Sequence, residues 1–191
     1  LPEKSIIRQD DVVLLKPDGY CIGTEEGFFI KTEALNPKDQ GVLYHAALHP
    51  HAIFENVTVN ENHELDFYDY RYTTNGRGIV LRSDIVPDDT QIDLPKANKI
   101  IFITRRTDVV PGLAKLTPEQ AALAFMLGES IETSAGDPTK AGQAKRSVGT
   151  NPFLVGPEAE EGNRMMAILK NIPNMEAYLL NTGSIGQNGL K

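Results

Sequence analysis

The sequence predicts an α/β fold with a mixed β-sheet and flanking helices. Residues 99–104 (KIIFIT) form a continuous apolar run, typical of a strand buried on both faces. Residues 117–127 and 157–170 have the pattern of helices, and residues 177–180 (AYLL) that of a final strand. This order predicts some parallel pairing. Alternating apolar and polar residues over 55–67 predict an antiparallel hairpin, so the sheet should be mixed.

Short elements fill the first half of the chain. Residues 12–15 (VVLL) predict a strand, and Pro17 with Gly19 predicts a turn, because proline fixes φ and glycine accepts positive φ. Further predicted elements are a strand over 27–31, a short helix over 38–48, a strand over 78–82 and a connection over 84–98.

The first long helix has recognisable signals at both ends. Thr117 is the expected N-cap, Pro118 suits the first helical position, and Gln120 completes a capping box. Gly128 marks the end of the helix. These signals fix the helix boundaries more firmly than its apolar pattern does.

A long segment, residues 134–157, shows neither strand nor helix periodicity. Loops longer than about 12–15 residues in compact domains are lids, binding loops or disordered segments. Four glycines punctuate this one, and Lys140, Lys145 and Arg146 make its centre basic. We expect a mobile lid that closes over an anion; a disordered surface loop is the alternative.

Composition limits the class of function. The 191 residues carry a net charge of −7, which argues against a nucleic-acid partner or an anionic membrane surface. No apolar run approaches the length of a membrane span. Cys21 is the single cysteine, so a disulfide framework is excluded and a cytoplasmic location is expected. The chain has the size of one domain, but its ends at Leu1 and Lys191 suggest a fragment of a longer protein.

Three groups of polar residues could carry chemistry. Asp10 and Asp11 precede an apolar strand and could hold Mg²⁺ or Mn²⁺, or form a solvated turn. Lys31 ends an aromatic strand and could contact phosphate or simply be exposed. Arg77 lies between two glycines and could bind phosphate or carboxylate, or occupy a type I′ turn.

Three histidines, His45, His49 and His51, lie close together in the sequence. Pro50 interrupts any helix between the last two, and no nearby acid completes a ligand set. Structural roles are therefore favoured over a transition-metal site.

Several segments, taken in order, resemble the C-terminal half of ATP-dependent phosphoenolpyruvate carboxykinase, after its P-loop. The segments that carry the resemblance are Asp10-Asp11, residues 25–32 (EEGFFIKT), residues 55–59 (ENVTV), residues 65–67 (LDF), Arg77, residues 99–104, residues 116–128 and residues 178–183 (YLLNTG). The family has Gly-Gly-Cys-Tyr where this chain has residues 26–29 (EGFF), and the lid sequence differs.

The resemblance implies the fold of the nucleotide-binding, mobile domain of that family, and the conversion of oxaloacetate and ATP to phosphoenolpyruvate, CO₂ and ADP. Asp11 with Asp10 would hold Mg²⁺ or Mn²⁺, Lys31 would neutralise phosphate, and Arg77 would bridge the phosphoryl group and the substrate. The P-loop would lie in the missing remainder of the parent chain, so an isolated fragment should be inactive. A kinase with another acceptor, or a non-catalytic nucleotide-binding relative, remains the alternative.

Overall fold

The computed structural model describes residues 6–87, 89–105, 111–132, 138–146 and 154–182. The chain divides into two compact units. Unit 1 comprises Leu1–Leu15 and Cys21–Leu94, and unit 2 comprises Lys16–Tyr20 and Pro95–Lys191.

Unit 1 is mainly antiparallel. Its elements are β1 (Val13–Leu15), β2 (Cys21–Gly23), β3 (Gly27–Lys31), α1 (Gly41–Ala47), β4 (Ile53–Glu55), β5 (Thr58–Val59), β6 (Leu65–Asp66) and β7 (Arg77–Leu81), followed by a 3₁₀ turn at Arg82–Asp84. The principal sheet has the strand order β3-β7-β4, and the pairs β1-β2 and β5-β6 form separate two-stranded sheets.

The two faces of the principal sheet differ sharply. Phe28, Ile30 and Val80 alternate into a core that also contains Leu35 and Phe67. Side chains on the other face are exposed, as the alternating burial of β3 and β7 shows. Polar side chains at one end of that exposed face are the ones on which the candidate site depends.

Unit 2 is an α/β layer. Its elements are β8 (Lys99–Thr104), β9 (Leu113–Leu116), α2 (Pro118–Leu127), β10 (Glu129–Ile131), a 3₁₀ turn at Pro138–Lys140, β11 (Ala144–Arg146), α3 (Glu158–Asn171) and β12 (Glu176–Asn181). β12 is central, parallel to β8 and antiparallel to β9. α2 and α3 pack closely together: a Cβ on Gly162 would lie 2.2 Å from the sulfur of Met126.

The predicted start and end of α2 are confirmed. The Thr117 side chain accepts from the backbone N–H of Gln120, and the Gln120 side chain accepts from the backbone N–H of Thr117. Gly128 ends the helix in the left-handed conformation, with φ of 53°. The hairpin predicted over 55–67 is also present, as the β5-β6 pair.

Three expectations need correction. The predicted α/β class with mixed strand pairing is confirmed by β8-β12-β9, but the described strands form several sheets rather than one. β8 is buried on one face rather than two, since Ile101 and Ile103 are exposed. The long segment contains a strand, because Ala144–Arg146 pairs with Glu129–Ile131.

None of the helices in the described ranges combines the length and the apolar character that crossing a bilayer requires.

Candidate functional site

Three charged residues form a row across the principal sheet of unit 1. Lys31 of β3 lies directly opposite Arg77 of β7, and Arg77 lies directly opposite Glu55 of β4. Directly opposed residues share one face, with Cα atoms about 4.5–5.5 Å apart. The sheet therefore brings together the two cations that the sequence singled out separately.

Two like charges directly opposite each other destabilise a sheet. Glu55 offsets part of this repulsion from the far side, since its Oε1 lies 3.8 Å from Nε of Arg77. Arg77 also donates from Nε to Oδ1 of Asn75 at 3.3 Å. The guanidinium is thus oriented within its own loop and strand, and half of it faces solvent, where an anion could balance the paired charges.

The glycines on either side of Arg77 are required by close packing. A Cβ on Gly76 would lie 2.4 Å from Oγ1 of Thr32, and a Cβ on Gly78 would lie 2.7 Å from the ring of Phe54. Arg77 is the first residue of β7 and is paired on both sides, so the type I′ turn is excluded.

Asp10 lies beside the outer edge of β3. Its Oδ2 accepts a hydrogen bond from the backbone N–H of Phe29 at 3.1 Å. Phe29 is two residues from Lys31 on the same face, a separation of about 7 Å along a strand. The carboxylate of Asp10 is therefore held against the strand that carries Lys31, at a residue two positions before it, and Asp11 follows on an exposed stretch of backbone.

A buried arginine anchors the segment that carries Asp10. Arg82, 3% exposed, donates from Nε to the carbonyl of Ile7 at 2.9 Å and from Nη1 to the carbonyl of Asp89. Arg8 donates to Oδ1 of Asp89 at 2.6 Å. The backbone N–H of Gln91, with Arg8 and Arg82, holds the pKa of Asp89 below its ordinary value.

Sequence reasoning missed Arg82 as a positioning residue. The available signal was the alternation of β7, because position 82 falls on the same buried face as Gly78 and Val80. A charged residue that is buried on this face has to be paired.

The donor set of Asp10 and Asp11 suits a hard divalent cation. Carboxylate oxygens are what Mg²⁺ and Mn²⁺ prefer. Within the described ranges, neither residue belongs to a cluster of three or more close His, Cys, Asp or Glu ligand atoms. A cation held here would take its remaining ligands from water, phosphate or other residues.

Two basic residues of the 134–157 segment have partners in the chain just before it. Lys145 forms an ion pair with Glu132 at 2.8 Å, and Arg146 donates to the carbonyl of Leu127 at 3.2 Å. Residues 134–137 and 147–153 lie outside the described residues. The lid therefore stays a prediction.

The histidines depart from expectation. His49 and His51 do have a nearby acid, because Asp84 lies 3.3 Å and 3.5 Å from their Nδ1 atoms. His45 is separate and makes an edge contact with Tyr44. The acid was missed because it follows His51 by more than thirty residues and is brought close only by the pairing of β4 with β7.

Comparison with known proteins gives a consistent result. The sequence profile of the phosphoenolpyruvate carboxykinase family matches residues 1–190. The chain is 37% identical to the phosphoenolpyruvate carboxykinase (ATP) of Aeropyrum pernix, over 95% of this chain and 36% of that protein. It is 29% identical to the enzyme of that name from Rhizobium johnstonii, over 85% of this chain and 31% of the relative. A glycosomal relative in Trypanosoma brucei is also 29% identical, over 97% of this chain and 39% of the relative. The chain thus spans about a third of the length of these relatives.

Proposed function

The chain belongs to the phosphoenolpyruvate carboxykinase family, and we propose that it supplies part of a site that converts oxaloacetate and ATP to phosphoenolpyruvate, CO₂ and ADP. The observation that carries the proposal is the row in which Lys31 lies directly opposite Arg77. Phosphoryl transfer depends on positioning and charge neutralisation, and adjacent cations on a rigid sheet supply both.

The reaction requires two coupled changes. The C–C bond to the departing carboxylate breaks, CO₂ leaves, and the electron pair remains on the enolate. The enolate oxygen then forms a bond to the γ-phosphorus of ATP while the bond from that phosphorus to the ADP oxygen breaks. Negative charge lies on the enolate and the transferring phosphoryl group throughout, and cationic side chains stabilise it.

We assign roles to the residues accordingly. Arg77 bridges the transferring phosphoryl group and the substrate, because its planar guanidinium can make two parallel hydrogen bonds to an oxyanion. Lys31, opposite Arg77, neutralises phosphate oxygens. The hydrogen bond from Phe29 orients Asp10, and Arg82 fixes the segment that contains it.

Asp11 and Asp10 would hold Mg²⁺ or Mn²⁺, which when bound would neutralise the β- and γ-phosphates of ATP. Residues 134–157 would form a lid that excludes water and protects the enolate from protonation. We further propose that the chain forms the nucleotide-binding, mobile domain of the enzyme, and that the enzyme is cytoplasmic.

Phosphoenolpyruvate formation can be measured in a hybrid enzyme, in which this chain replaces the matching third of the Aeropyrum pernix relative. We expect Arg77→Ala to reduce turnover by about a thousandfold or more, the range found for arginines that stabilise transferring phosphoryl groups. Turnover of Arg77→Lys should lie between that of the unaltered hybrid and that of Arg77→Ala, because lysine keeps the charge but not the planar pair of donors.

Matched controls lie elsewhere in unit 1. Arg71, exposed and paired with Asp69, should tolerate alanine. Lys38, also exposed, should tolerate methionine, whereas Lys31→Met should reduce turnover. Wild-type turnover in Arg77→Ala or Lys31→Met would refute the assigned roles. A hybrid that binds ATP without turnover would favour a different phosphoryl acceptor.

A further inference from the structure

His49, His51 and Asp84 form a compact cluster of potential metal ligands in unit 1. Among the described residues, this is the only group of three or more His, Cys, Asp or Glu side chains whose ligand atoms all lie within 4.8 Å of one another. The two histidines lie between α1 and β4, and Asp84 ends the 3₁₀ turn after β7. The cluster is distinct from the row of charges at Lys31 and Arg77.

The spacing of the ligand atoms suits a tetrahedral ion. Ligands about 2.0–2.1 Å from a tetrahedral Zn²⁺ lie about 3.4 Å from one another. Oδ2 of Asp84 lies 3.3 Å from Nδ1 of His49 and 3.5 Å from Nδ1 of His51. Two edges of the ligand tetrahedron are therefore already at the required length.

One oxygen of the carboxylate at the centre of the cluster lacks a hydrogen bond. The Asp84 side chain is 10% exposed, and its Oδ2 accepts no hydrogen bond from any described residue. Buried carboxylates are normally paired or coordinate a metal. Nδ1 of His49 accepts only a long hydrogen bond, 3.4 Å, from the backbone N–H of His51. Coordination of a metal ion by this nitrogen would replace that hydrogen bond.

We propose that His49, His51 and Asp84 bind a divalent late transition-metal ion, with Zn²⁺ as the best match. Two imidazoles and one carboxylate are a ligand set found for Zn²⁺, whereas Mg²⁺ prefers oxygen ligands alone. The histidines are about half exposed, so water can complete the coordination shell. The bound ion joins the segment before β4 to the turn that ends β7.

Titration of the 191-residue chain with Zn²⁺, and with Co²⁺ followed by its visible absorption, tests the proposal. We expect one ion per chain at this site, with an absorption spectrum typical of tetrahedral Co²⁺. His49→Ala and His51→Ala should each weaken binding by about 100-fold or more, since losing even an outer-shell partner costs 10–100-fold.

The controls separate this site from others. His45→Ala, on the neighbouring helix, and His63→Ala, in the exposed turn between β5 and β6, should bind Zn²⁺ as the unaltered chain does. Asp84→Asn should lose binding while keeping the size of the side chain. If Asp84→Asn fails to fold, the decision rests on His51→Ala, whose altered side chain is exposed. Unchanged Zn²⁺ affinity in His51→Ala, or an equal loss in His45→Ala, would overturn the proposal.

Discussion

Replacing Gly78 with alanine tests whether close packing of β7 sets the position of the adjacent Arg77. Gly78 is paired with Ile30 on one side and Phe54 on the other. An added Cβ would lie 2.7 Å and 2.9 Å from two ring carbons of Phe54, and 3.2 Å from Cγ1 of Ile30. Non-bonded carbon atoms are normally about 3.5–4.0 Å apart. The ring would therefore have to move by close to an ångström.

The expected cost follows from two opposing terms. Overpacking a well-filled core costs about 1–3 kcal/mol. Replacing glycine with alanine lowers the entropy of the unfolded chain and returns about 0.4–1 kcal/mol. The middle values of these two ranges differ by about 1.3 kcal/mol, and we expect Gly78→Ala to lower the free energy of unfolding by about that amount. The displaced strand should also reduce turnover of the hybrid enzyme.

Urea denaturation followed by circular dichroism measures the free energy of unfolding. The matched control is Gly41→Ala at the start of α1, because a Cβ there meets nothing within 4 Å. Its stability should be unchanged or slightly raised, since alanine favours helix more than glycine does.

A double-mutant cycle with Phe54→Leu identifies the cause. Shortening the side chain makes room for the new Cβ, so Gly78→Ala should cost at least about 1 kcal/mol less in that background. If Gly78→Ala were neutral, or cost the same with leucine at position 54, the packing argument would be refuted.

Two further predictions concern charge. Arg82→Met should lower the free energy of unfolding by about 2–3 kcal/mol, because it removes the buried donor that the carbonyls of Ile7 and Asp89 share; stability equal to that of the exposed control Arg71→Met would contradict this. Lys115 and Lys99, with Tyr178, lower the pKa of Glu176 to about 2. Because the folded-state pKa lies below the unfolded value of 4.5, ionised Glu176 stabilises the folded state. This stabilisation is complete above the unfolded pKa and is lost as pH falls from 4.5 towards 2. Urea midpoints at pH 6 and pH 3 should therefore differ less in Glu176→Gln than in the unaltered chain, whereas Glu61→Gln, in an exposed loop, should leave the difference unchanged.

Local chemistry explains which elements the sequence could predict. The capping box at Thr117 and the glycine at position 128 determine where α2 begins and ends through bonds between near neighbours. The partners of a strand are not encoded in this way. β9 was missed because the segment 113–116 is short and includes Lys115. Its extended conformation is determined by pairing with the central β12. The exposure of β8 likewise depends on what covers its second face.

The candidate site shows the same division. Residue type and neighbouring glycines were enough to single out Lys31 and Arg77, but their juxtaposition depends on the register of β3 against β7. The family resemblance supplied the roles proposed for them. Arg82 and Asp84 escaped notice because their significance depends on burial and on distant partners.

Arg82 and Asp84 occupy the two ends of one 3₁₀ turn, and this determines how variants there should be interpreted. The guanidinium of Arg82 holds the segment that leads to Asp10, while the carboxylate of Asp84 faces His49 and His51. A substitution at Asp84 that shifts the turn could therefore alter turnover through Arg82 without any role for a metal. His51→Ala changes no residue of the turn. Loss of Zn²⁺ binding with unchanged turnover in that variant would show that the histidine cluster and the row of Lys31 and Arg77 act separately, whereas loss of both would show that the turn couples them.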